Sequence, residues 1–146
     1  TSTKRVIYQM LVKKKLITES HIDFNQHVSE DAFYSIAIEC FQEILHEYGI
    51  FKLIFEVNVA PIIFDTQIIF KREVFLGDNV ELNINVIPTS RDMRKFQRVI
   101  KFFNADSSGA ATLVSNGAFF DLEKRRVISP PDEVVMSFTR SGLVGE

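Results

Sequence analysis

His21-Ile22-Asp23-Phe24-Asn25-Gln26-His27-Val28-Ser29-Glu30 runs straight into a long apolar stretch, and this junction decides the fold. Across 32–48, Phe33, Ile36, Ala37, Cys40, Phe41, Ile44, Leu45 and Tyr48 recur at spacings of three and four, which predicts a helix. Ser29 supplies an N-cap oxygen, and Glu30 and Asp31 place negative charge on the first turn, where the helix dipole favours it. Gly49 stands at the usual C′ position. Ala32 and Ile38 widen the apolar stripe, so the helix is expected to be covered on more than one side. The mixed polarity of 21–28 reads as a loop.

On either side of that helix the period changes. Residues 5–17 read as a first strand closed by the basic run Lys13-Lys14-Lys15, and 51–59, 62–74, 79–87, 94–104 and 110–122 read as further strands. Alternation is cleanest where Val80, Leu82, Ile84 and Val86 face one way and Glu81, Asn83 and Asn85 the other. Short turns at Gly77-Asp78-Asn79, 88–92 and 106–109 leave no room for crossover helices, so the strands are expected to run antiparallel. After Pro130-Pro131, residues 132–140 read as a short terminal helix or a tail. The expected class is α+β: one domain over 1–146, a long central helix wrapped by a curved antiparallel sheet of five to six strands. Its core spans about 5–122, with an extension over 123–146. An uncovered sheet edge favours pairing with a second subunit.

Composition narrows the function classes. A net charge of −2 gives no electrostatic case for nucleic acid or an anionic membrane surface. No apolar run approaches the roughly 20 residues that cross a bilayer, and the first residues lack the pattern of a cleaved leader. A single cysteine, Cys40, cannot form an internal disulfide, which fits a cytoplasmic location. Three histidines and that cysteine offer no metal-site spacing, and neither a phosphate-binding glycine loop nor a G-x-S-x-G elbow occurs. Fourteen Phe and no Trp suggest a greasy core, a subunit interface or an acyl pocket.

The 21–30 segment brings a carboxylate, an imidazole and the free N–H donors of a helix start together, a set that acyl-transfer chemistry uses. The motif resembles the hot-dog-fold thioesterases of the 4-hydroxybenzoyl-CoA thioesterase type. Asp23 stands four residues before His27, Val28-Ser29-Glu30 open the helix, and Phe33-Tyr34 follow. Phe75-Leu76-Gly77-Asp78-Asn79-Val80 is similar to that family's turn into its next long strand. Asp-Phe-Asn-Gln-His-Val is also similar to the Asp-Tyr-Asn-Gly-His-Met of thioesterases linked to carnitine and betaine metabolism. Two departures stand out: Gln26 occupies a position where glycine is common, and Ser29-Glu30 replace a frequent Asn-Asn pair.

The resemblance implies an acyl-CoA thioesterase, with coenzyme A as part of the substrate and no other cofactor. It also implies a homodimer or homotetramer with the site between subunits. Asp23 and His27 are the catalytic candidates. Asp23 would attack the thioester carbonyl or activate water; its bland alternative is an Asx turn. His27 would position the carbonyl or organise the loop. Backbone N–H groups around Val28–Glu30 would polarise the carbonyl, while Ser29 and Glu30 serve equally well as a helix cap. Asn25 and Gln26 would donate to substrate or simply shape the turn. Phe24, Phe33 and Ile36 would wall an acyl group or pack in the core. In the basic cluster Arg91, Arg94, Lys95 and Arg98, Arg94 and Lys95 are the candidates for coenzyme A phosphates. Two other readings stand beside this one. One is a non-catalytic acyl-CoA-binding protein. The other is an acyl-thioester hydratase or dehydratase, although the His-Phe-Pro-Gly run of those enzymes is missing.

Overall fold

The computed structural model describes residues 11–144. Along the chain come β1 (Leu11–Leu16), a 3-10 turn (Glu19–His21), α1 (Glu30–Glu47) and α2 (Ile50–Val57). Then follow β2 (Val59–Phe70), β3 (Asn79–Pro88), β4 (Lys95–Phe103), β5 (Gly109–Asp121), β6 (Arg126–Val127) and α3 (Asp132–Ser141). The expected first strand is seen from Leu11 onward, and its residues 5–10 lie outside the described residues.

The strands join in the order β1-β3-β4-β5-β2, every neighbouring pair antiparallel, with β6 on β5. Val80, Leu82, Ile84 and Val86 of β3 are buried, as are Phe96, Ile100 and Phe102 of β4. These side chains meet α1, whose Ala32, Phe33, Ile36, Ala37, Cys40, Phe41, Ile44 and Leu45 are all buried. Phe33 sets the contact at the N-terminal end, edge-on to Phe70 at 5.4 Å and to Phe102 at 5.2 Å. Lys13 and Lys15 of β1 reach over to Glu43 and Glu47 and tie the sheet's far edge to the exposed side of α1.

One expected strand is a helix. Residues 51–59 contain a short apolar run, a pattern that fits a buried strand and a buried helix alike. What resolves it is a four-residue period: Ile50 and Ile54 are buried, whereas Lys52 and Glu56 are exposed. Gly49 reverses the chain after α1 at φ +69°, and Asn58 closes α2 at φ +62°. The strand expected over 62–74 is β2, which starts earlier, at Val59, and stops at Phe70, short of the expected 74. Pro61 sits within it without breaking the ladder, because β2 is an edge strand. Residues 132–141 form a helix rather than a tail. α3 buries Val134 and Phe138, Phe138 meets Phe119 edge-on at 5.5 Å, and the Val86 N–H donates to Leu143 O at 2.7 Å. The stretch assigned in sequence to an extension thus closes one end of the core.

Candidate active site

Asp23 and His27 face each other across a tight hairpin. Ile22 and Val28 pair, the Asp23 N–H donates to His27 O at 2.9 Å, and the Gln26 N–H donates to Asp23 O at 3.0 Å. Gln26 closes the turn at φ +64°, the left-handed position that such short loops usually give to glycine. That explains why glycine is common there, and it shows that the loop keeps this geometry with glutamine. Asp23 Oδ1 accepts the Asn25 N–H at 2.9 Å, an Asx turn.

The hairpin leans on the second sequence signature. The Val28 N–H donates to Val74 O at 2.8 Å, His27 bridges to Phe75, and the Leu76 N–H donates to Gln26 O at 3.3 Å. Asp78 steadies that turn by accepting the Phe75 N–H at 2.9 Å. Two motifs some fifty residues apart in sequence are therefore one structural unit. His27 is held from both sides: its ring stands edge-on to Phe75 at 4.7 Å, and Nδ1 lies 3.3 Å from Glu73 Oε1.

Behind the hairpin, α1 begins without a side-chain cap, because Ser29 Oγ makes no cap hydrogen bond. The Val28 and Ser29 N–H groups are already taken, by Val74 O and His21 O. The Phe33 N–H makes the first helical bond, to Ser29 O at 3.1 Å. Among the described residues the N–H groups of Glu30, Asp31 and Ala32 find no acceptor. Donors for a developing oxyanion are thus available one step further into the helix than 28–29.

Asp23, His27 and the start of α1 share a cleft of about 440 Å³ lined by Asp23, His27, Val28, Ser29, Glu30, Phe33 and the segment Phe70, Lys71, Arg72, Glu73. Asn25 and Gln26 are exposed at the hairpin tip and do not line it, and Phe24 is 91% exposed. Arg94 and Lys95 are also elsewhere. Arg94 pairs with Asp92 at 3.4 Å and reaches Ser129 at 3.3 Å. The cations beside the cleft are Lys71 and Arg72, hidden in sequence because 62–74 reads as one continuous strand. Cys40 is fully buried and its thiol is pushed up to about 11 by desolvation, so it is no nucleophile. Among the described residues no group of three or more His, Cys, Asp or Glu could hold a metal ion. Nor is any described helix long and apolar enough to cross a membrane.

The model of the thioesterase-like superfamily matches residues 17–138. This chain belongs to that superfamily. The sequence expectation of a thioester hydrolase agrees with this family, and the curled antiparallel sheet with its helices is the hot-dog fold. Solved structures share it. A Staphylococcus aureus protein characterised in complex with CoA superposes with TM-score 0.80 at 15% identity, covering 92% of this chain and 84% of that one. A 1,4-dihydroxy-2-naphthoyl-CoA thioesterase from Synechocystis gives 0.76 at 14% identity, covering 89% and 96%. A probable thioesterase from Escherichia coli gives 0.79 at 14% identity, covering 90% and 98%. No curated protein matches the sequence.

Proposed function

We propose that the protein hydrolyses an acyl-CoA thioester to the free acid and coenzyme A. The observation that carries this reading is the convergence of Asp23, His27 and Glu30, whose first-turn N–H is unpartnered, on one cleft, in a chain of the thioesterase-like superfamily. The thioester carbonyl oxygen is placed toward the N–H groups of Glu30–Ala32, where backbone dipoles stabilise the negative charge that develops on it. The Asp23 carboxylate takes a proton from attacking water and returns it to the departing thiolate, or itself attacks the carbonyl carbon to form an anhydride. In the second route a water then hydrolyses the anhydride to the acid, and the water's proton goes to the thiolate. Coenzyme A leaves as the thiol. His27, steadied by Glu73 and Phe75, positions the reacting group. Lys71 and Arg72 are exposed beside the cleft and suit the phosphates of coenzyme A better than Arg94 and Lys95 do. The functional unit is a homo-oligomer, with the substrate arm passing between subunits.

The test is thiol release across short, long, aromatic and betaine-like acyl-CoAs, with wild type and Asp23→Ala side by side. Release by the wild type and its loss in the variant are expected. A wild type that releases no thiol from any substrate, or an Asp23→Ala protein with full activity, overturns the reading. One observation favours a binding protein instead: the Asp23–Asn25 turn gives the carboxylate a purely structural use. Acyl-CoA binding by calorimetry without thiol release would select that alternative.

A further inference from the structure

Arg98 is 4% exposed, in the middle of β4, on the face that meets α1. Its sequence neighbours Arg94 and Lys95 are exposed, but Arg98 shares its parity with Phe96, Ile100 and Phe102 and points inward with them. No ion pair among the described residues includes it. Nη2 donates to Ser115 Oγ at 2.9 Å, the guanidinium lies 5.0 Å over the Phe41 ring, and Nε is buried with no partner. Ser115 is in turn bonded to Thr66 of β2 at 2.8 Å. Burial disfavours the charge on Arg98, partly offset by the nearby Tyr34 hydroxyl. A buried cation with an orphaned donor and no counter-ion is costly to keep unless something else completes it.

That guanidinium opens onto a second hollow of about 270 Å³, apolar apart from Arg98 and Gln42, whose walls include Ile38, Phe41, Leu45 and Pro61. Both hollows lie along the seam between α1 and β2: Phe33 and Phe70 line the cleft, and Phe41 and Pro61 line the hollow. Arg98 is set between them. It sits against α1 between Tyr34 and Phe41, about 6 to 16 Å along the axis from Glu30. On the sheet side it is level with Thr66, roughly 13 Å along β2 from Phe70. We propose that Arg98 recognises a carboxylate at the far end of the acyl group, so that the substrates are thioesters of medium-length dicarboxylic acids. The methylene chain lies along the α1–β2 seam, and the terminal carboxylate accepts from Nε and the free Nη donors. This assignment rests on the hydrolase reading above and names its substrate class.

Free suberate and the uncharged 1-octanol are titrated by calorimetry into the wild type and into Arg98→Met. In parallel, suberyl-CoA and octanoyl-CoA are compared by thiol release. A charged hydrogen-bonded pair is expected to favour suberate over 1-octanol by at least ~10-fold in the wild type, and Arg98→Met should erase that preference. The kcat/KM ratio of suberyl-CoA to octanoyl-CoA falls by a similar factor in the variant. Equal affinity of the wild type for suberate and 1-octanol overturns the proposal and needs no folded variant; so does a kcat/KM ratio that Arg98→Met leaves unchanged. The two readings fail separately. Hydrolysis without a carboxylate preference sinks the Arg98 assignment alone. Arg98-dependent suberate binding without thiol release supports the carboxylate site while sinking the hydrolase.

Discussion

Asp23 spends Oδ1 on the Asn25 N–H, while Oδ2 has no partner among the described residues. The observed turn contact and the proposed base role of this side chain are therefore separable by isosteric substitution. Asn at this position keeps an acceptor for the turn and loses the base. Asp23→Asn is expected to unfold at the wild-type denaturant midpoint while thiol release falls about 100- to 10,000-fold, the usual span for a general base. A variant that retains full turnover leaves Asp23 only its turn. Gln26, three residues on, carries a different cost. A side chain in the left-handed region is disfavoured by roughly 1–2 kcal/mol, partly offset because glycine loosens the unfolded chain. Gln26→Gly is expected to gain about 0.5–1 kcal/mol in urea unfolding, and any loss would show that the Gln26 side chain contributes contacts of its own. At this scale the proximity of Asp23 and His27 was legible because the two sit four residues apart in sequence. Arg98 was misread for the converse reason: adjacency grouped it with Arg94 and Lys95, although strand alternation places it inside with Phe96 and Ile100.

The long elements were readable and the short ones were not. Eighteen residues give α1 five turns in which to declare its period, and β3 alternates without interruption. α2 has eight residues, few enough for its apolar run to pass as a strand until Gly49 and Asn58 fix its ends. Cross-strand fit was invisible in sequence as well. At Gly117 on β5 a Cβ would stand 2.3 Å from Ile62 O and 2.9 Å from the Phe96 ring. Gly117→Ala must push β2 outward near its irregular pairing at Ile63 and Asp65, at an expected cost of about 1–3 kcal/mol in chemical denaturation. A neutral result would mean that the strand yields freely there. The tie between β1 and α1 is electrostatic and so depends on pH. Its hydrogen bond to Lys15 holds the Glu43 carboxyl below its ordinary 4.5, and the same bond raises Lys15 above 10.5. The Glu43 contribution is present above the ordinary value and lost as pH falls through the lowered one. The Lys15 contribution is lost as pH rises through its raised value. Lys15→Ala is therefore expected to cost about 0.2–1 kcal/mol near neutrality and nothing in strong acid. A difference that persists at low pH would mean that Lys15 acts through packing rather than charge.

Across the whole molecule the two sheet edges are unlike. Along its described residues β1 carries Lys13, Lys14 and Lys15, the kind of edge that resists further pairing. β2 runs for 12 residues, and Phe64, Ile69 and Phe70 on it are 57%, 49% and 47% exposed. An edge of that length and apolarity calls for a partner, and a second copy pairing through β2 satisfies its ladder and its side chains together. Light scattering is expected to give at least twice the 16.8 kDa of one chain. Phe64→Lys, which places a charge in that contact without touching a cleft-lining residue, is expected to yield monomer. Because Phe70 belongs to both the cleft and this edge, pairing would close the substrate path from one side. Thiol release is then expected to disappear together with the dimer while the circular dichroism of the chain is unchanged. A Phe64→Lys monomer with full activity would instead place the entire site within one subunit.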